Sequence, residues 1–212
     1  MSKIHLEILD KPRQIIFSKL SGFKNFGYLA GGTALALQIQ HRKSVDFDVF
    51  INKPVNNYLR LKAKTVFPAS VFYVNTTDQI SFTTPENINV TFFWYIYPPL
   101  LSPTTTPSIS LASVNDIVAD KAYTIGKRAV WRDYVDLFLI LKKEIVTLNQ
   151  IIRLAKQKFT GEFNEALFLE QLSYFKDLTI VPMDFIGPSP SPPEIQSYLE
   201  TQVESYIKII LP

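Results

Sequence analysis

The chain has no cysteine among its 212 residues. That excludes disulfides, thiolate zinc sites and cysteine nucleophiles together, and it fits a reducing compartment. It has two histidines, His5 and His41, so a histidine-based zinc site and a Ser-His triad both lack parts. Long hydrophobic runs are missing as well. The longest, Val90 to Leu101, is irregular and broken by Pro98-Pro99, too short to span a bilayer. The opening residues Met1 to Glu7 carry no apolar segment of the secretory kind. Charge of one sign is scarce: 22 basic against 19 acidic residues leave a net +3. Only a local basic cluster would then argue for nucleic-acid binding. These absences predict a cytoplasmic protein with no membrane association. What is present is the material for a core, with 47% apolar and 19% charged residues. That composition belongs to a folded chain, and the length suits one large domain or a domain with an appended bundle.

Strand patterns dominate the first half. Pro12 to Leu20 has helical spacing behind a capping Asp10. Phe26 to Ala30 reads as a short strand, Gly31-Gly32 as a turn, and Thr33 to His41 as a helix. Ser44 to Ile51 alternates, with Val45, Phe47, Val49 and Ile51 on one face and Ser44, Asp46 and Asp48 on the other. Further strands are expected at Ser70 to Val74, Ile80 to Thr83 and Ile88 to Ile96. Pro98 to Pro107 is a connector. From Ser113 the pattern turns helical, with helices near 113–125, 131–142 and 164–175, another capped by Thr147-x-x-Gln150 with Ile151, Leu154 and Ala155 inward, and a last one opening at Ser191-Pro192-Pro193-Glu194. That last helix aligns Ile195, Tyr198, Leu199, Val203, Tyr206, Ile207 and Ile210. Strands followed by helices predict an α+β fold, a mixed-sheet core over residues 1–110 and a helical region over 111–212.

The chemistry gathers around Gly31-Gly32-Thr33 and Ser44-Val45-Asp46-Phe47-Asp48. Residues i and i+2 of a strand point the same way about 6.5 Å apart. Asp46 and Asp48 therefore reach one hard cation or a pair of them, and Mg²⁺ prefers carboxylate, phosphate and water oxygens. Two metals about 3.5–4 Å apart clamp both the attacking and the leaving oxygen of an in-line displacement. Paired glycines admit a phosphate close to the backbone, and the following helix aims free N–H groups and a positive dipole end at it. Ser44 adds a hydroxyl donor. Taken singly, a D-x-D is solvated charge and a Gly-Gly is a turn; the combination in this order reads as a polyphosphate and metal site.

These residues also resemble a known family. Gly31-Gly32-Thr33-Ala34-Leu35 and His41-Arg42-x-Ser44-x-Asp46-x-Asp48-x-Phe50 look like nucleotidyltransferases of the AbiEii/AbiGii type. The MenT toxins are relatives, and the fold is polymerase-β-like. Asp116 to Ala122 and Arg132 to Leu137 are similar to the family's second block. The likeness covers Tyr28 to Leu141, with a looser fit at Gln171 to Asp177. It implies that Asp46 and Asp48 bind metal (Mg²⁺ or Mn²⁺), and that Gly31, Gly32, Thr33 and Ser44 contact the triphosphate of an NTP. Lys121 would neutralise phosphate charge, and Asp133 would act as general base or orienting group. It further implies an RNA acceptor such as a tRNA 3′ end, and a cognate antitoxin.

One position departs from the wider polymerase-β pattern. Thr91, flanked by Asn89 and Phe93, stands where a third carboxylate is common, and neither Thr nor Asn replaces an anionic ligand well. A weakened enzyme acting as a nucleotide- or partner-binding module is therefore the alternative reading, and a metal-dependent phosphodiesterase a third. Asp136 reads as an ordinary acid of its helix's first turn or a partner of Arg132 or Arg128, and Asp133 admits the same reading beside its catalytic one. Lys121, Lys127, Arg128, Arg132, Lys142 and Lys143 form the one basic concentration. Lys127-Arg128 reads as a steering patch for an RNA backbone or as a solvated helix end. His41, beside Arg42, reads as helping to hold phosphate or as setting the loop, with the structural role preferred, and Phe92-Phe93-Trp94-Tyr95 is assigned to the core rather than to base stacking.

Overall fold

Residues 3–210 are described by a computed structural model, so Met1 and Ser2 of the opening segment lie outside it. The chain divides into two compact units, Met1–Ser113 and Val114–Pro212. The fold is α+β, with a mixed sheet in the first unit and helices in the second.

The first unit runs α1 (Lys11–Lys19), β1 (Gly27–Ala30), α2 (Gly31–Ile39), β2 (Phe47–Ile51), α3 (Asn57–Val66), β3 (Val71–Asn75), β4 (Gln79–Thr83) and β5 (Asn89–Trp94). Asp10 caps α1 by accepting from the Arg13 amide at 2.9 Å. The sheet order is β1-β2-β5-β4-β3. β2 and β5 pair in parallel, and the other pairs are antiparallel. One edge is covered: the Leu29 amide donates to the Ser110 carbonyl and the Ala112 amide to the Leu29 carbonyl, both at 2.8 Å. The other edge, β3, carries a register shift at Phe72/Val74, the kind of irregularity that blunts an open edge.

Behind the sheet lies an aromatic core. Phe23 packs on Phe92 with ring centroids 4.7 Å apart and Phe67 on Phe82 at 5.2 Å, all four fully buried. Burying one such ring stabilises the fold by about 1.5–3 kcal/mol. Of the run Phe92-Phe93-Trp94-Tyr95, only Phe92 is buried and the other three are half-buried; the core assignment is corrected for them, since alternation turns Phe93 to the opposite face, Trp94 is the last residue of β5, and Tyr95 lies beyond it.

Three local expectations are also corrected. α3 occupies a stretch to which the sequence pattern assigned nothing: Asn56 caps it through the Leu59 amide, and Leu59 and Ala63 bury one face. β2 starts at Phe47, not Ser44; Val45 is 43% exposed and its carbonyl accepts from Arg13 Nε. α2 starts at Gly31 and ends at Ile39, where Gln40 turns left-handed at φ 48°.

The second unit holds α4 (Val114–Ile125), α5 (Trp131–Lys142), α6 (Leu148–Lys158), α7 (Glu165–Leu172) and α8 (Pro192–Ile210). α6 has a reciprocal capping box, with Thr147 and Gln150 each bonding the other's backbone amide. Asn164 caps α7 through the Leu167 amide. Tyr134, Phe138, Phe159 and Phe168 fill the interior. α8 buries Ile195, Leu199, Val203 and Tyr206, while Ile207 and Ile210 are exposed, so its inward face ends a turn earlier than the spacing predicts. No helix among the described residues is long and apolar enough to cross a membrane.

Candidate active site

In the first unit, strand register brings the glycine pair and the acids together. Ala30 is the antiparallel partner of Asp48, so the chain leaves β1 for α2 beside that carboxylate. Gly31, at φ +65°, has the Asp48 Oδ2 atom 3.1 Å from where a Cβ would stand. Its conformation is one L side chains rarely adopt, and its missing Cβ lets the acid approach. Ala30 occupies the N-cap of α2 and has no side-chain acceptor to offer. The N-cap residue therefore does not satisfy the first-turn amides, and the helix dipole there favours negative charge.

The loop from α2 to β2 is tied to the same helix end. Thr33, 2% exposed, bonds the Ser44 hydroxyl at 2.8 Å and also the backbone carbonyl of Asp46. Its hydroxyl thereby orients the loop. Asp46 accepts at Oδ1 from Asn89 Nδ2 at 3.1 Å, and Asn89 in turn accepts from Thr83. The parallel pairing of β2 and β5 sets Asp48 beside Thr91, whose hydroxyl bonds Ser81 at 3.0 Å. The unit therefore assembles Gly31, Gly32, Thr33, Ser44, Asp46 and Asp48. Arg42 joins them: it is 4% exposed, and its guanidinium lies against Gly32. Sequence reasoning gave it no role; the available signal was a basic residue two positions before Ser44.

The donors suited to a metal are hard oxygens. Among the described residues no group of three or more His, Cys, Asp or Glu side chains is placed to hold a metal ion. Two carboxylates at i, i+2 beside a cradle that a Cβ would fill still fit Mg²⁺, which takes one or two protein carboxylates and completes its shell with water and substrate phosphate.

In the second unit, Lys121 of α4 is held by two acids of α5: Asp133 Oδ1 at 2.7 Å and Asp136 Oδ2 at 2.6 Å. Burial alone would push the Lys121 ammonium down, but the charges of Asp136 and then Asp133 hold it above its ordinary value. Asp136 is fully buried. The sequence reading of Asp136 did not name Lys121 as a partner; the i, i+3 spacing sets Asp136 on the face that also carries Asp133 and so brings both acids to that lysine. Burial pushes the Tyr134 hydroxyl up to about 12, with Asp133 adding to the effect.

The profile of the AbiEii nucleotidyl transferase toxins, a type IV toxin–antitoxin family, matches residues 14–200. The chain belongs to the AbiEii nucleotidyltransferase toxin family. This AbiEii chain is 28% identical over 191 residues to an uncharacterized protein of Aquifex aeolicus (strain VF5), covering 88% of this chain and 91% of that one. Its fold is similar to that of MenT4, a nucleotidyltransferase toxin of Mycobacterium tuberculosis H37Rv. That match has a TM-score of 0.63 and 16% identity over 93% of this chain and 82% of MenT4. JHP933 from Helicobacter pylori matches with a TM-score of 0.54 and 14% identity over 95% and 96%.

Proposed function

We propose that this AbiEii chain transfers a nucleoside monophosphate from an NTP to an acceptor hydroxyl of RNA, such as a tRNA 3′ end. Dependence on Mg²⁺ or Mn²⁺, cytoplasmic action and control by a cognate antitoxin belong to the same reading. The observation that carries it is the meeting of an uncapped helix N-terminus, Gly31 and the acids Asp46 and Asp48 in one unit. In the reaction the acceptor oxygen bonds to the α-phosphorus, the bond from that phosphorus to the bridging oxygen breaks, and pyrophosphate leaves. The first-turn amides of α2 and the Ser44 hydroxyl bind the phosphates. Asp46 and Asp48 would hold the divalent ion, which when bound supplies Lewis-acid stabilisation of the developing charge. Lys121 neutralises phosphate charge, and Asp133 takes the proton from the attacking hydroxyl.

The test is incubation with labelled NTPs, Mg²⁺ and total RNA. Label should appear on RNA and be lost, by at least about 10²–10³-fold in rate, in the Asp46→Asn, Asp48→Asn variant. No transfer by the wild type, with equal NTP binding by that variant, would overturn the reading. Thr91 beside Asp48 favours a second reading, a nucleotide- or partner-binding module of the same fold. Metal-dependent NTP binding without turnover would select it.

A further inference from the structure

We propose that Arg42 is a triphosphate-binding residue, admitted to the site by the missing side chain of Gly32. This rests on the nucleotidyltransferase reading and extends it to a residue and a glycine with separate duties. Arg42 stands three positions past the end of α2, and its side chain reaches back to Gly32 at the start of that helix. It is 4% exposed, and burying a guanidinium is costly unless acceptors or anions surround it. Its Nη1 donates to the Lys43 carbonyl at 3.0 Å. Its Nη2 stands 2.6 Å from where a Gly32 Cβ would be, closer than real Cβ atoms approach, and the Ser44 Oγ stands 3.3 Å from the same point.

A side chain at position 32 would therefore displace the guanidinium. The two glycines divide the work: Gly31 supplies a left-handed turn and room for Asp48, and Gly32 supplies room for Arg42. The guanidinium thus sits against the first turn of α2, where the helix dipole is already positive. Two positive elements converging at one place suit an anionic ligand. Asp48 is close by, and a polyphosphate is the ligand class whose charge and oxygen spacing suit both a row of amides and a planar fork. Ser44, converging on the same point, adds a hydroxyl donor.

Calorimetric titration of the full chain with Mg²⁺ and inorganic tripolyphosphate, and separately with Mg²⁺ and ATP, tests this. Arg42→Gln should weaken both ligands by the same factor, about tenfold or more, the contribution of a hydrogen bond to a charged group. Gly32→Ala should cost a similar factor, and adding it to Arg42→Gln should cost little more, since both act through one contact. Unchanged affinity in Arg42→Gln overturns the proposal and leaves Arg42 a loop anchor, as would full additivity of the two substitutions. If Arg42→Gln melts far below the wild type, Arg42→Lys decides: it keeps the charge and loses the fork. Weaker binding by Arg42→Lys supports the proposal, and unchanged binding overturns it. A wild type that binds neither tripolyphosphate nor any NTP sinks the nucleotidyltransferase reading itself, an outcome distinct from failure of the Arg42 assignment alone.

Discussion

Two lysines are buried in the helical unit, and each is clasped by two aspartates one turn apart. Lys121 of α4 meets Asp133 and Asp136 at 2.7 and 2.6 Å. Lys158 of α6 meets Asp116 and Asp120 at 3.0 and 2.7 Å. The geometry is nearly the same, yet the surroundings differ. The acids match, one fully buried and one partly exposed in each clasp (Asp116 0% and Asp120 15%, Asp136 0% and Asp133 14%), but the Lys158 side chain is 0% exposed and that of Lys121 keeps 7%. α4 serves both clasps, giving its acids to α6 and its lysine to α5. Burial and pairing are what an anchor requires, and a reactive cluster shares them. They do not by themselves tell a structural clasp from a functional one. The proposed function assigns Lys121 to the substrate phosphates and leaves Lys158 an anchor, and substitution tests that assignment.

The largest effects should separate the two lysines. Lys158→Met leaves Asp116 and Asp120 buried without their cation and should cost about 3–5 kcal/mol in urea unfolding. Turnover per folded molecule should be unchanged. Lys121→Met should lower nucleotidyl transfer by about 10²-fold in folded protein, the scale of one electrostatic stabiliser. Equal losses of turnover in the two variants would break the comparison.

A smaller effect is set by pH. The Lys121 ammonium is held above its ordinary 10.5 by its two acids. A raised folded value means that the clasp contributes fully below the ordinary value and loses its contribution as pH rises through the folded one. The stability gap between wild type and Lys121→Met should therefore stay constant from neutral pH to about 9.5 and shrink above the ordinary lysine range. A gap that closes between pH 7 and 9 would contradict this ion pairing. The smallest effect sharpens the contrast from outside it. Thr147→Ala removes one half of the capping box on α6, the helix of Lys158, and should cost about 1 kcal/mol in thermal or urea unfolding with no change in turnover.

Much of this was legible locally. Asp10, the Thr147–Gln150 box and Asn164 mark helix starts because a cap is satisfied within three residues of itself. The alternation of Phe47, Val49 and Ile51 marks β2 because strand periodicity is a property of the strand alone. Even so, α3 was missed, although Asn56 ahead of Leu59 and Ala63 carries the same kind of signal. Val45 continued the alternation on paper but not in space, because its segment is held by Arg13 and Thr33 instead of a neighbouring strand.

The sequence by itself determined the α+β order, the turn from strand to helix at Gly31, and the set of acids and donors available for chemistry. The tertiary structure alone decided who meets whom. Asp46 beside Asn89, Asp48 beside Thr91, Arg42 against Gly32 and Asp136 on Lys121 all depend on strand register or helix packing between distant segments. The periodicity of a chain tells which face a side chain is on; the backbone hydrogen bonds and buried charges formed across the fold choose its neighbour.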